Sequence, residues 1–329
     1  MTTEITTNKQ DQQITAQGNN NPFDDMMIRK SANTRTRYIH EVRRFSKFTR
    51  RNLFTPANWK GVTADDIRKY QQAMLDVGMS VNTVNQTIFI IRSFGAYSSA
   101  YGGMEQTEVF RASQVAKAYR AIEARNIDQE REKDGKATRA SNKKESAVII
   151  SKYQAEQLKH DHPDDPRGHR DALLMCLLLD FGLRVGDVAS LTFGQIDMVS
   201  RMVRVTTQKT DTPLTLSMTE DIYNAFSLYL REYTLSDPSA SIWYGVNKYG
   251  QIQNGFSKHA MQMRVRELGE AVGLFSLSPH DCRHYFVTSA DRGGSSLLAI
   301  TEAGGWKSPA MPARYVNKNA VSNSGIKLG

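Results

Sequence analysis

The chain has 329 residues, 40% hydrophobic and 9% aromatic, with 22 glycines and 9 prolines. That is room for two domains with real cores, and it excludes wholesale disorder and collagen-like or low-complexity architecture. Forty-three Lys+Arg against 34 Asp+Glu leave a net charge of +9, which favours a polyanionic partner, nucleic acid being the commonest.

The longest clean apolar run, Ala172 to Leu179, is far shorter than the roughly 20 residues of a membrane span. The polar start MTTEITTNKQDQQITAQGNNN lacks the charged and apolar regions of a signal peptide. A soluble, cytoplasmic protein with no membrane partner is expected. Cys176 and Cys282 lie more than a hundred positions apart and the histidines show no HExxH spacing, so a metal enzyme gets little support.

In chain order, residues 1–22 read as a disordered tail. The next stretch is basic: from Arg29 to Arg51 there are nine Lys/Arg and one acid, Glu41. Within it Tyr38, Val42 and Phe45 recur at spacings of four and three, which predicts a helix with one buried face. Arg37, Arg44 and Arg51, seven apart, would then stay in solvent on another face. With so few acids nearby, Arg35, Arg37, Arg43, Arg44, Lys47, Arg50 and Arg51 read as phosphate contacts in preference to an ordinary solvated face.

A second helix opens at Thr63, with Asp66 three residues on as a capping box, and stops at Gly78. A third opens at Thr83 and a fourth spans about 106–127. Together, residues 23–127 make a compact all-α domain. Residues 128–147 contain eleven charged residues and no large apolar one, so they read as a linker, or else as a charged surface helix continuing the fourth. The second domain, 148–329, begins with helices near Ser151, from about Arg170 to Phe181 and from about Val185 to Leu191. Met202–Val205 and Leu214–Leu216 are β-prone runs flanking QKTDTP, predicting a small antiparallel sheet with Lys209 near its tip. Helices follow at about 220–233, 256–271, 280–291, 295–303 and 308–316. The fold class is therefore mainly α (α+β).

Four features stand out in order: RVGD at 184–187, Lys209, HDCRH at 280–284, and GGWKSPAMPARY at 304–315. His280 and Arg283, three apart, share a helix face. Each feature alone has an ordinary reading as a surface charge, a polar pair or a core tyrosine.

Taken together they resemble the tyrosine recombinase/integrase family of site-specific DNA recombinases. LLLDFGLRVGDVASLTFGQID resembles the family's first box, HDCRHYFVTSA its second, and GGWKSPAMPARYV its nucleophile segment. The resemblance implies a helical core-binding domain at 23–127 and a catalytic domain from 148. Arg184 and Arg283 would hold the non-bridging phosphate oxygens, because guanidiniums stay charged and bond bidentately. Tyr315 would be the nucleophile and His280 its proton acceptor, since a phenol with a pKa near 10 is a poor nucleophile unaided. Lys209 would protonate the leaving 5′ oxygen, and Asp187 would orient Arg184 or His280. Trp306 stands where most members have a second histidine, and its indole N–H can donate to phosphate. His284 extends the second box, with a structural role as the alternative.

The implied reaction is transesterification through a 3′-phosphotyrosyl intermediate on double-stranded DNA recombination sites. It needs no ATP or metal and runs in a homo-tetramer at the nucleoid. The polar segment after Tyr315 differs from the C-terminal helix that members pass to a neighbour. The helix near 83–97, and that near 256–267 with Lys258, Arg264 and Arg266, are candidates for groove contact. A type IB topoisomerase-like enzyme and a catalytically silent DNA-binding protein are the alternatives. Target sequence and accessory proteins are not legible.

Overall fold

Helices dominate the computed structural model, which describes residues 21–134, 147–207, 212–232, 237–247 and 249–316, and its strands form two small antiparallel sheets. This is the mainly α, α+β class expected. The chain divides into two compact units, Met1–Lys144 and Glu145–Gly329, each with its own apolar core.

In the first unit, α1 (Pro22–Ile28) is too short to show periodicity in sequence. Asn21 Oδ1 accepts from Phe23 N at 3.2 Å, and Pro22 sits in the first turn. The remainder of the tail read over 1–22 lies outside the described residues. In α2 (Ala32–Thr49) Ser31 is the N-cap, and Tyr38, Val42 and Phe45 are buried as the spacing predicts. At α3 (Ala64–Asp76) the expected capping box forms: Asp66 Oδ2 accepts from Thr63 N at 2.9 Å and Thr63 Oγ1 from Asp66 N at 3.2 Å. α4 (Val81–Ser99) starts earlier than expected, because Ser80 caps it by accepting from Thr83 N.

The helix expected over 106–127 is two, α5 (Gln106–Val115) and α6 (Ala121–Lys133). Side chains of α3 and α4 capture the backbone between them. Asn85 accepts from Tyr119 N and donates to Tyr119 O, both at 2.8 Å, and Gln71 donates to Lys117 O at 2.7 Å. α6 runs past 127 into the segment read as linker. Arg131, 7% exposed, anchors it by donating to Leu75 O and Met79 O at the end of α3. Residues 135–146 lie outside the described residues.

In the second unit, Ser151 and Gln154 form a capping box at the start of α7 (Lys152–His160). The central helix is α8 (Pro166–Asp180), opened by Asp165, whose Oδ1 accepts from Gly168 N at 2.7 Å. Every residue from Leu173 to Leu179 is buried, and a helix apolar on all sides belongs at the centre of a core. α9 (Val185–Ala189) follows. β1 (Ile196–Asp197), β2 (Met202–Thr207) and β3 (Thr212–Ser217) then form the expected sheet, in register Val203↔Leu216 and Val205↔Leu214. A second hairpin, β4 (Tyr244–Val246) with β5 (Ile252–Asn254), has strands too short for an alternation signal. The remaining helices are α10 (Glu220–Tyr229), α11 (Lys258–Ala271), α12 (Pro279–Arg292), α13 (Leu297–Ala303) and α14 (Ala310–Val316). Among the described residues no helix is long and apolar enough to cross a membrane.

Candidate active site

The site is assembled by turns that follow α8 and α13 and by the first two turns of α12. Gly182, at φ +58°, ends α8 in a conformation that L side chains rarely adopt, and a Cβ there would lie 2.4 Å from the Phe286 ring. The turn delivers Arg184 to the N-cap of α9, with Asp187 in its first turn. The Asp187 side chain is 2% exposed, and its Oδ2 lies 3.7 Å from Arg184 Nη1. That Nη1 is buried without a hydrogen-bond acceptor among the described residues.

α12 is pinned at its start. Asp281 Oδ2 accepts from Ser278 N at 2.8 Å and from Ser278 Oγ at 2.6 Å, and its Oδ1 accepts from Val148 N at 3.0 Å. The helix therefore presents His280, Arg283 and His284, at i, i+3 and i+4, along one side. Arg283 is 4% exposed and donates to Gly182 O and Gly304 O, each at 2.6 Å. Its guanidinium lies 3.6 Å from the centroid of the Trp306 ring. Two of the five donors of a guanidinium are so used, and three remain.

Tyr315, in the last turn of α14, brings its hydroxyl 3.5 Å from His280 Nε2. Rings of His280, His284 and Trp306 surround the phenol at centroid distances of 5.7, 5.2 and 6.4 Å. Burial pushes the phenol above its ordinary range, and the charges of Arg283 and Arg184 oppose that rise. Burial and then the neighbouring Arg184 charge push Arg283 down to about 9. Two neighbouring cations, one lowered by the charge of the other, make a site whose electrostatics favour an anion.

Of the seven residues read as catalytic, Arg184, Asp187, His280, Arg283, Trp306 and Tyr315 thus converge. Lys209 lies outside the described residues. The strands that lead to it end at the pair Thr207↔Thr212, and a Cβ on Gly305 would meet Thr207 Cγ2 and Leu214 Cδ1 at 3.0 Å. The sheet therefore abuts the residue before Trp306. The sequence leaves His284's place open. Its i+4 spacing from His280 is a signal that it faces the phenol, but a spacing does not reveal burial. Among the described residues only Glu156, His160 and Asp221 bring three metal-ligand atoms together. Lys159 already bonds Asp221 and lies 3.2 Å from Glu156 Oε1, so that group is charge-compensated.

The residues read as DNA contacts divide. Arg35, Arg37, Lys47, Arg50, Arg51, Lys258 and Arg266 are exposed, while Arg43 and Arg44 are half-buried. The expectation that Arg37, Arg44 and Arg51 share one solvent face is corrected. Arg50 ends α2 at φ 56°, so Arg51 lies beyond the helix and donates to Lys60 O at 2.8 Å. Arg44 turns back to Glu41 at 3.4 Å and to Met79 Sδ at 3.1 Å. Arg264 is corrected too, because it pairs with buried Asp171 at 2.8 Å and with Glu267 at 2.7 Å.

Residues 149–321 match the model of the phage integrase family, and the chain belongs to that family. The tyrosine recombinase XerD of Neisseria meningitidis serogroup B is 29% identical over 143 residues, 42% of this chain and 47% of that protein. The tyrosine recombinase XerC of Histophilus somni is 29% identical over 150 residues, 45% of this chain and 49% of its own length. The chain therefore spans about half the length of these relatives. The fold is shared with a lambda integrase dimer bound to a COC′ core site, at a TM-score of 0.60 and 13% identity, over 94% of this chain and 98% of that one. It is also shared with the Tn1549 transposon integrase in complex with circular intermediate DNA, at a TM-score of 0.59 and 16% identity, over 89% of this chain and 93% of that one.

Proposed function

We propose that the protein is a site-specific DNA recombinase that cuts and rejoins strands through a tyrosine–phosphate link, acting as a tetramer on paired DNA sites. The observation that carries this reading is the meeting of two guanidiniums, Arg184 and Arg283, with a phenol whose hydroxyl lies 3.5 Å from an imidazole nitrogen.

A phosphodiester bound between the two arginines would present its phosphorus to Tyr315. As the Tyr315 oxygen bonds to phosphorus, its proton passes to His280 Nε2 and the bond to the 5′ oxygen breaks. That oxygen takes a proton from Lys209, leaving a 3′-phosphotyrosyl link and a free 5′ hydroxyl. Attack by another 5′ hydroxyl reverses every step and releases the phenol. Arg184 and Arg283 stabilise charge on the non-bridging oxygens throughout. Asp187 positions Arg184, and Trp306 stacks on Arg283 and holds it toward the phosphate.

DNA would be read in the first unit at the groove between α2 and α4, a cavity of about 500 Å³ lined by Asn33, Arg37, Gln86 and Phe89 among others. Amide and exposed aromatic groups suit base edges and thymine methyls, with Arg37 at the rim for the phosphates. The test is the DNA flanking the gene, offered as nicked duplexes. Wild type should form a covalent adduct at one mapped phosphate and Tyr315→Phe none. Relaxation of supercoiled DNA lacking that site would favour a topoisomerase, and no adduct would leave a DNA-binding protein.

A further inference from the structure

Tyr315 is the second-last residue of a helix of seven residues, so little backbone structure fixes its ring, and its neighbours must do so. His280 is exposed and meets the ring at 63°, whereas Trp306 is occupied on its face by Arg283. His284 differs from both. It is 7% exposed, stands one turn after His280 on α12, and meets the phenol ring at 5.2 Å and 88°, an edge-to-face contact. A side chain so buried, with its ring against the phenol, bears on the tyrosine it packs against.

We propose that His284 is a positioning residue for Tyr315, the wall that holds the phenol in line with the phosphate. The inference rests on the functional reading above. His280 Nε2 lies 3.5 Å from the hydroxyl and the His284 ring stands edge-to-face to the phenol, so proton transfer and ring orientation are divided between two histidines one turn apart. Helical geometry explains the arrangement: i and i+4 side chains lie one above the other, and a ring docked across them touches both. Misplacing a reacting atom by about 1 Å can cost on the order of 100-fold in rate.

The experiment measures single-turnover adduct formation on nicked duplexes of the flanking DNA, below the lowest melting temperature of the set, with DNA affinity and the pH profile recorded in parallel. His284→Ala should slow adduct formation roughly 10- to 100-fold with unchanged affinity and an unchanged profile. His284→Phe, which keeps a ring against the phenol, should restore most of the rate. His280→Gln should instead flatten the pH profile. An alanine variant as fast as wild type overturns the proposal, and so does a folded phenylalanine variant that stays slow. If the alanine variant fails to fold, the phenylalanine variant decides alone. Absence of adduct with wild type would defeat the functional reading itself, whereas a wild-type adduct with an indifferent His284 defeats only the positioning role.

Discussion

Arg184 and Arg283 both bear on the Tyr315 phenol but are held in opposite ways. Arg283 is fixed by two carbonyls and an indole face, whereas Arg184 keeps a buried Nη1 with no hydrogen-bond acceptor among the described residues. An unsatisfied buried donor is costly, and a phosphate oxygen would relieve it. Arg184→Lys should therefore lower adduct formation by about 100-fold or more, because an ammonium lacks the planar fork. DNA affinity, measured in the same samples, should change little. A second residue-scale case is Asp221. Burial pushes its carboxyl up, but the hydrogen bond and charge of Lys159 outweigh burial and leave it lowered. A carboxyl lowered on folding stabilises above its unfolded value and loses that contribution as pH falls through the folded one. Melting temperature should thus drop below about pH 4, and Asp221→Asn should cost roughly 2 kcal/mol at pH 7. Thermal unfolding of both proteins across pH 3–7 checks the sign.

Elements in this protein are ended by partners as much as by their own sequence. Periodicity through 106–127 is continuous, yet the helix breaks because Asn85 offers Tyr119 a better-satisfied backbone than helix continuation does. Asn85→Ala should destabilise the first unit by about 1–3 kcal/mol, read from its denaturant midpoint. On α11, Arg264 and Arg266 are two positions apart but serve different ends. Arg264→Ala should lower the melting temperature, because Asp171 is 1% exposed and would lose a counter-charge. Arg266→Ala should leave melting unchanged and weaken DNA binding, as a filter-binding and calorimetry comparison would reveal.

At the scale of the whole molecule, the net charge of +9 and the proposed function together predict strong salt dependence of DNA binding, since each phosphate neutralised releases counterions. Only cations free of internal partners contribute. Arg37→Ala with Lys47→Ala, both exposed on α2, should reduce the slope of log affinity against log salt by roughly 2. Arg44→Ala should act mainly on stability, because it is held by Glu41 and Met79. Salt titrations of the three proteins on one duplex separate these outcomes.

Most helix positions, the capping box at Thr63, the pairing of β2 with β3 and the family motifs were legible in the sequence, because each depends on neighbours within a few positions along the chain, whereas the break at Lys117–Tyr119 was not. The division of labour among the cations was not. Arg264 meets Asp171 across 93 positions, Arg131 meets Leu75 across 56, and Arg283 meets Gly182 across 101. A charge in a sequence is the same letter whether it ends in solvent or against a buried carboxylate. Only folding, which sets desolvation and distance together, decides which arginines hold the protein up and which are left facing outward for an anion.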